Sequence, residues 1–290
     1  MTRPLSGSVA DDQTTPQAYV IVPAHNEAGV IDRCLRALLG SAIPGEFQVI
    51  VACNGCSDNT AGIARSFPSR DVVVLEVSAQ SKIAALNAAD NFAPGYPRIY
   101  VDADVELETE SLRRIVERLR HGHVLLASPS MAIDTSESTW PVRAHYRIWR
   151  FSDHFDDPSV SCGVYGLSAE GRRRFGAFPD VVADDTFVRG LFDAGEREAV
   201  TGAHSLVKAP RRTRDHIRRS VRAASGTRSL SVANSGVRTG SARYMRLLRR
   251  AVRDPRNWPA LVVYCALYGS VRLKSRHAQA GWGRDDSTRG

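Results

Sequence analysis

Two aspartates separated by one residue, Asp102 and Asp104, follow directly after the apolar run Arg98-Ile-Tyr-Val101. Carboxylates at the end of a buried strand can share a hard divalent cation. Mg²⁺ and Mn²⁺ take oxygen ligands, usually one or two carboxylates together with substrate phosphates. A solvated turn or a helix cap would use the same residue types. The position directly after an apolar run favours a site for Mg²⁺ or Mn²⁺.

Two further groups could contact a nucleotide. The loop Asn54-Gly-Cys-Ser-Asp58 follows an apolar run, and its polar side chains, with the N-terminus of the helix predicted after it, can hydrogen-bond a nucleobase or a ribose. A turn with an N-cap at Ser57 or Asp58 is the alternative. Lys82 begins a later helix, where its charge could meet a phosphate, although a single lysine at a helix end is commonly just solvated.

A pair of adjacent acids, Asp184 and Asp185, begins a helix near the middle of the chain. Adjacent carboxylates repel one another, so the pKa of one of them can rise, which suits a group that abstracts a proton. Acidic residues also favour the N-terminus of a helix without any catalytic role. The pair is therefore a candidate for general-base chemistry.

The elements that must position these residues alternate between strands and helices, which predicts βαβ units and a mostly parallel sheet. In such sheets ligands bind outside the carboxyl ends of the strands, where the polar groups above are placed. Strands are predicted at 19–23, 47–52, 71–77, 98–102, 124–129 and 163–167. Helices are predicted at 28–39, 60–67, 82–92, 110–121, 140–154, 168–175 and 184–194.

The charge of the chain is divided unevenly along its length. Residues 1–204 carry 19 basic and 27 acidic side chains, whereas residues 205–254 carry 14 basic and two acidic ones. We therefore predict a disordered arm over 1–17, an α/β domain over 18–204 and a basic, mainly helical region over 205–290. The basic region suits diphosphates or anionic lipid, and its scarcity of interleaved aromatic residues disfavours nucleic acid.

The cysteines and the N-terminus bear on the cellular compartment. The five cysteines are odd in number in a long chain, which does not indicate a disulfide framework. Cys53 and Cys56 have the spacing of a zinc half-site or a redox pair, but no second pair follows, so two small residues in a loop are favoured. The first residues lack the apolar segment of a signal peptide, which predicts a cytoplasmic protein.

Taken together, these motifs resemble family 2 glycosyltransferases of the GT-A fold. The resemblance is close over residues 18–105 and looser up to about residue 195. It rests on four segments in the family's order and spacing: Val20-Ile-Val-Pro-Ala-His-Asn-Glu27, Asn54-Gly-Cys-Ser-Asp-Asn-Thr60, Lys82-Ile-Ala-Ala-Leu-Asn-Ala88 and Asp102-Ala-Asp104.

The resemblance implies how the donor would be bound. Asp102 would contact the ribose or the donor sugar, and Asp104 would bind the metal that bridges the diphosphate. The second loop has Ala52-Cys53-Asn54 where the commoner family form has an acidic pair, which leaves the preferred nucleobase open. The other residues expected around the nucleotide are Pro23, Glu27, Asn54, Asp58 and Lys82.

The acceptor side of the site is less clearly marked. Asp184-Asp185 resembles the family's Glu-Asp pair, which implies that Asp185 is the base of an inverting transfer. The segment Gly163-Val-Tyr-Gly166 is predicted to line the acceptor pocket by close approach of its backbone. Members of the family often carry Q-x-x-R-W where Arg211-Arg-Thr-Arg214 stands here, without the Gln or the Trp.

Arginines of the basic region could serve the same side of the site. Arg211 and Arg214 are candidate contacts to the acceptor or the diphosphate. Arg214, Arg218 and Arg222 would share one helical face, which could clamp a diphosphate, touch anionic lipid or belong to a solvated basic loop.

The C-terminal stretch from Trp258 to Val271 is apolar over 14 residues and is flanked by basic residues. It is shorter than the ~20 residues that a membrane-spanning helix requires. A helix lying on an anionic membrane and a helix packed on the rest of the protein are both consistent with it.

The predicted function is a metal-dependent, inverting transfer of a sugar from a nucleotide-diphosphate donor to a carbohydrate or lipid-linked acceptor. Surface-polysaccharide or glycolipid synthesis would suit it, in the cytoplasm or peripherally at the inner face of the cell membrane. A nucleotidyltransferase acting on sugar phosphates would carry a Gly-rich phosphate loop where Pro23-Ala-His-Asn-Glu27 stands. A non-catalytic nucleotide-sugar or membrane-binding protein is the other alternative, which the presence of Asp102, Asp104 and Asp185 disfavours.

Overall fold

The computed structural model describes residues 15–152, 163–181, 183–233 and 241–275, without the side chains of 222, 225–233 and 241–243. The strands are β1 Ala18–Ala24, β2 Phe47–Asn54, β3 Val72–Val77, β4 Arg98–Val101, β5 Val105–Leu107, β6 Leu126–Asp134, β7 Val164–Leu167 and β8 Arg197–Lys208. The helices are α1 Ile31–Leu39, α2 Thr60–Arg65, α3 Lys82–Phe92, α4 Thr109–His121, α5 Trp140–Trp149, α6 Ala169–Arg172, α7 Asp184–Arg189, α8 Thr213–Ala233, α9 Ser241–Ala251 and α10 Trp258–Ser275.

The eight strands form one sheet in the order β3-β2-β1-β4-β7-β6-β8-β5. The first four are parallel neighbours, β6 and β8 are parallel to each other, and β7 and β5 run antiparallel to their partners. The predicted α/β fold with a mostly parallel sheet flanked by helices is therefore confirmed. Strand β8 crosses residue 204, where the α/β domain was predicted to end, and continues to Lys208.

The central strands are buried on both faces, which explains their continuous apolar sequence. In β1 the even-numbered residues from Ala18 to Ala24 belong to a core shared with α1, α2 and α4. Tyr19 and Ile21 point to the opposite core, which is shared with α3 and α7. Helices on both faces thus leave the carboxyl ends of β1, β2 and β4 as the open edge.

The basic C-terminal region adds a helical layer, which shares a separate small core with α5. Ala144 and Ile148 of α5 pack with Leu247 and Ala251 of α9 and with residues of α10. Among the helices that the structure describes, none combines the length and the hydropathy that crossing a bilayer requires. Parts of four predictions lie outside the described residues: the arm up to residue 14, the end of the helix at 140–154 from residue 153, the side chain of Arg222, and residues 234–240 and 276–290 of the basic C-terminal region.

Candidate active site

The loops after β1 and β2 are tied to each other at the open edge of the sheet. The Nδ1 atom of His25 lies 2.6 Å from the carbonyl oxygen of Asn54. Asn26 has a positive φ of 54°, and its side-chain oxygen accepts hydrogen bonds from the backbone N–H groups of Ser57 (2.6 Å) and Asp58 (3.1 Å). Asn tolerates this left-handed conformation better than most residues. Hydrogen bonds therefore join the two loops into one surface, which we call the floor of the site.

Asp58 completes this floor. Its Oδ2 accepts a hydrogen bond from the Ala28 N–H at 3.2 Å, and its Oδ1 accepts one from the Thr60 N–H at 3.1 Å. The Thr60 hydroxyl in turn accepts from the Glu27 N–H at 2.7 Å. Asp58 thus positions the loop that carries Glu27, and its contact with a donor stays a prediction.

Asn54 is the last residue of β2 and is fully buried. Neither its side-chain oxygen nor its side-chain nitrogen has a hydrogen-bond partner among the described residues. Buried amide groups are nearly always hydrogen-bonded, because burying them unpaired costs free energy. The side chain of Asn54 therefore offers an NH2 group as a donor and a carbonyl oxygen as an acceptor to a bound group. Pro23, by contrast, lies buried within β1, opposite Ala52.

The two aspartates after β4 form a tight turn. The Asp102 carbonyl accepts a hydrogen bond from the Val105 N–H at 3.0 Å, which turns the chain from β4 into β5. Ala103 points into the core and is only 4% exposed, whereas Asp102 and Asp104 are partly exposed at the open edge. The buried alanine thus fixes the turn, and both carboxylates face outwards.

Lys82, the first residue of α3, joins two parts of the site that are far apart in sequence. Its Nζ lies 2.6 Å from Asp102 Oδ1 and 2.8 Å from Asp184 Oδ1. Burial opposes the charge of Lys82, but the two carboxylates outweigh it and raise the pKa of its ammonium group. Burial also raises the pKa of Asp102 to about 6, with Lys82 opposing and Asp184 and Asp104 adding to the increase.

The two members of the acid pair have different surroundings. Asp184 is 3% exposed, and its Oδ2 accepts a hydrogen bond from the Tyr165 hydroxyl at 3.0 Å. Asp185 is partly exposed and accepts a hydrogen bond from the Thr186 N–H at 2.6 Å. Burial and the neighbouring Asp184 raise the pKa of Asp185, while Lys82 opposes the increase. The carboxylate of Asp184 is therefore engaged by Lys82 and Tyr165, whereas that of Asp185 is available to a ligand.

This arrangement can be compared with known proteins. The pattern of glycosyl transferase family 2 matches residues 19–174, which is more than half of the chain. The chain belongs to this family. Glycosyltransferase AglD of Haloferax volcanii is 30% identical over 182 residues, 58% of this chain and 29% of AglD. Glycosyltransferase AglE of the same organism is 31% identical over 110 residues, 37% of this chain and 36% of AglE. The chain thus spans about a third of the length of these relatives.

Solved structures show the same fold. Mannosyltransferase PcManGT from Pyrobaculum calidifontis, in complex with GDP-Man and Mn²⁺, has a TM-score of 0.58 at 20% identity, covering 94% of this chain and 79% of PcManGT. TarS 1-349 of S. aureus, in complex with UDP, has a TM-score of 0.51 at 16% identity, covering 83% of this chain and 73% of TarS. The family 2 chain therefore has the GT-A fold expected of it.

The carboxylates at the turn after β4 suit a divalent cation that binds together with a phosphate-containing molecule. Among the described residues, no three His, Cys, Asp or Glu side chains are grouped so that they could hold a metal by themselves. Asp104 makes no hydrogen bond or ion pair within that part of the chain, so its carboxylate is available. Divalent cations that bind phosphates commonly take only one or two protein carboxylates.

A small charged pocket lies beside this turn, and of its residues only Arg211 was predicted from the sequence. Arg33, Lys208 and Arg211 line it together with Gly29, Asp134 and Glu137. Val105 pairs with Val207 across the sheet, so Asp104 and Lys208 leave the β5–β8 ladder at the same end. Arg33 is paired with Glu106 at 2.7 Å and Arg211 with Glu137 at 2.5 Å. Lys208 makes no ion pair with another described residue.

Two glycines that were predicted to line the acceptor pocket have different positions. A Cβ atom on Gly166 would lie 2.7 Å from Ile99 and Leu119 side-chain atoms in the core between the sheet and α4. The small size of Gly166 therefore serves packing in the core, and its contact with an acceptor stays a prediction. Gly163 does lie at the site, where its carbonyl accepts a hydrogen bond from the Asp102 N–H at 2.8 Å.

The arginines of α8 are less clearly connected to the site. Arg214 is 69% exposed in its side chain, and its Nε lies 3.6 Å from Asp215. Arg218 approaches the same carboxylate at 3.9 Å. A contact between Arg214 and a diphosphate or an acceptor stays a prediction.

Gly163→Ala should distort the Asp102 side of the site. Gly163 has a φ of 81°, and a Cβ atom there would lie 2.9 Å from Asp102 Oδ2. The left-handed backbone costs a non-glycine residue about 1–2 kcal/mol, so we expect a lower Tm and weaker donor binding. Gly195→Ala is the control, because a Cβ atom at Gly195 meets nothing within 4 Å. Equal Tm values and equal donor affinities for the two variants would contradict a role for Gly163.

Proposed function

We propose that the chain is an inverting glycosyltransferase that moves a sugar from a nucleotide-diphosphate donor to an acceptor hydroxyl. The observation that carries this proposal is the double ion pair of Lys82 with Asp102 and Asp184. It brings the aspartates after β4 and the acid pair of α7 together at the carboxyl edge of the sheet. The groups proposed to bind the donor and to accept the proton would thereby lie within one site.

The nucleoside end of the donor would lie on the floor formed by the first two loops. The unpaired amide of buried Asn54 suits the edge of a nucleobase, since it can donate and accept at once. Glu27 stands in the adjoining loop, where Thr60 holds its backbone N–H, and its carboxylate would bind a ribose hydroxyl. An amide can match more than one base edge, so the base preference is left to experiment. PcManGT is in complex with GDP-Man and TarS with UDP.

The diphosphate would lie next to the turn after β4. Asp104 would hold Mn²⁺ or Mg²⁺ there, with phosphate oxygens and water as the other ligands. A bound cation would neutralise the charge that develops on the departing nucleoside diphosphate. PcManGT is in complex with Mn²⁺, which supports the choice of cation. Lys208, and Arg211 beside it, would add positive charge from the neighbouring pocket.

The transfer itself would use Asp185 as the base. Its carboxylate takes the proton of an acceptor hydroxyl while the oxygen attacks the anomeric carbon. The bond from that carbon to the diphosphate oxygen breaks, so the configuration inverts and the nucleoside diphosphate leaves with the bonding electrons. The raised pKa of Asp185 makes it a better proton acceptor than an ordinary carboxylate. The acceptor would be a carbohydrate or a lipid-linked sugar.

A thermal-shift panel tests the proposal directly. UDP-, GDP- and TDP-sugars are added with and without Mn²⁺, and one nucleotide is expected to raise the Tm in a metal-dependent manner. A ligand at 100 times its Kd stabilises a protein by about 2.7 kcal/mol. If none of the nucleotides shifts the Tm with metal, the proposal is wrong.

Asp104→Asn should uncouple the metal from the donor. The amide keeps the shape of the side chain but lacks its charge. We therefore expect the apparent affinity for Mn²⁺, measured from the Tm shift in the presence of donor, to fall at least tenfold. Glu108→Gln, an exposed acid of the same segment, is the matched control. A Mn²⁺ titration that is the same for Asp104→Asn and the wild type would exclude Asp104 as a ligand.

A further inference from the structure

The C-terminal helix α10 has two unlike faces. On one face Ala260, Tyr264 and Leu267 are between 5% and 7% exposed and pack in the core shared with α5 and α9. This packing explains how the helix is held on the protein. It does not account for the rest of its apolar sequence.

The opposite face of α10 is apolar and open to solvent. Trp258 is 54% exposed, Val262 is 71% exposed and Leu273 is 63% exposed. With the exposed Cys265 and Ala266 between them, they recur at helical spacing along one side. No charged residue occurs from Trp258 to Val271. We name this face, made of these five residues, the apolar stripe.

Exposed apolar side chains are concentrated in this part of the molecule. Of the nine large hydrophobic residues that are exposed in the described chain, five lie in residues 241–275: Met245, Val252, Trp258, Val262 and Leu273. Three of these five, Trp258, Val262 and Leu273, lie on the apolar stripe, and exposed apolar side chains that share one face, unlike single ones, indicate a surface that contacts something.

The charges around the apolar stripe indicate what it contacts. Residues 241–275 carry eight Arg or Lys and a single acid, Asp254. Arg253 and Arg256 stand just before the stripe, and Arg272 and Lys274 stand at its end, all exposed. A second copy of the chain would bring two such positive surfaces together, which like charges oppose. A bilayer with anionic headgroups supplies both an apolar interior and the opposite charge.

We propose that the apolar stripe docks the protein on an anionic lipid bilayer, with α10 lying along the membrane surface. Trp258 would insert its ring at the headgroup level, where indoles are favoured. Its Nε1 donates a hydrogen bond to the Val252 carbonyl at 3.1 Å, which keeps the indole at the start of the stripe. The arginines at both ends would pair with lipid phosphates. This surface does not depend on the proposed sugar transfer.

Vesicle co-sedimentation of the full chain tests the proposal. We expect binding to vesicles of phosphatidylcholine with 30% phosphatidylglycerol, and at least tenfold weaker binding to pure phosphatidylcholine. Val262→Asp and Trp258→Ser should each weaken binding to the anionic vesicles by about tenfold or more. Ile43→Asp is the control, since Ile43 is 64% exposed but lies outside α10, and it should bind like the wild type.

The other outcomes would overturn the proposal. Absence of binding by the wild type, equal binding to both vesicles, or unchanged binding by Val262→Asp would each do so. A dimer that Val262→Asp converts to a monomer, measured by light scattering without lipid, would make the stripe a self-interface instead. The Tm of each variant, and its shift with nucleotide-sugar and Mn²⁺, separate loss of membrane binding from misfolding and from failure of the proposed function.

Discussion

Asp185→Asn is expected to slow sugar transfer strongly while leaving folding and donor binding unchanged. The Asp185 carboxylate is partly exposed and is hydrogen-bonded to the adjacent Thr186, so an amide can replace it without disturbing the core. An amide cannot accept the acceptor proton, and loss of a general base typically lowers the rate by about 10²–10⁴-fold. The turnover number should therefore fall by that factor with the donor KM nearly unchanged.

The neighbouring acid is the matched control for this change. Asp184→Asn breaks the ion pair with Lys82 and alters the hydrogen bond from Tyr165 in a buried position, so its first effect should be a lower Tm. Asp185→Asn should keep the Tm of the wild type and its metal-dependent shift with donor. If Asp185→Asn turns over at the wild-type rate, Asp185 is not the base.

The pH dependence of the wild type gives a second measurement of the same group. The pKa of Asp185 is raised, so the carboxyl is still protonated at a pH where an ordinary aspartate is ionised. The carboxylate must be ionised to act as a base, and kcat should therefore fall as the pH decreases through the raised pKa. The acid limb of the profile should therefore lie above the usual carboxyl range.

The first half of the fold could be predicted from sequence because its strands are continuous apolar runs between clear turns. The helix from Lys82 to Phe92 has the predicted bounds. The first helix was predicted from residue 28 but begins at Ile31, because the loop before it has Asn26 in a left-handed conformation and is bonded to the second loop. Local hydrophobic spacing does not contain that tertiary requirement.

Two strands after β4, namely β5 and β8, were harder to predict because they lack such apolar runs. The twelve-residue strand β8 contains Thr, Gly and His, and its pairing with β6 is interrupted between Ser128 and Ser130. The strand β5 has three residues and follows the turn at Asp102 directly. Both were missed because neighbouring strands, not local periodicity, select an extended conformation there.

The site divides in the same manner. The sequence motifs identified the aspartates and Lys82 as candidate site residues. They did not predict which of these residues contact one another. The pairing of Lys82 with Asp184, 102 positions away, depends on β7 and α7 packing beside β4. Lys208 carried one available signal, as one of only three lysines in a chain rich in arginine. Its place beside the Asp104 turn follows from the β5–β8 register alone.

Lys82→Met should destabilise the protein more than the loss of any other single cation of the site. Its ammonium group lies between Asp102 and Asp184, and without it two carboxylates would face each other with their charge uncompensated. Breaking a buried ion pair typically costs about 3–5 kcal/mol. The Asp102 side chain is 37% exposed and partly screened by solvent, so we expect about 2–3 kcal/mol here.

Chemical denaturation of matched variants measures this cost and its origin. Lys208→Met removes the same charge from a lysine that makes no ion pair with the described residues, so its free energy of unfolding should stay within about 0.5 kcal/mol of the wild type. Lys82→Met combined with Asp102→Asn should recover part of the loss, because one of the opposed carboxylates is then neutral. Strictly additive effects of the two substitutions would show that Lys82 does not compensate the repulsion between the carboxylates of Asp102 and Asp184. The proximity of the turn after β4 to the acid pair of α7 would then need another cause.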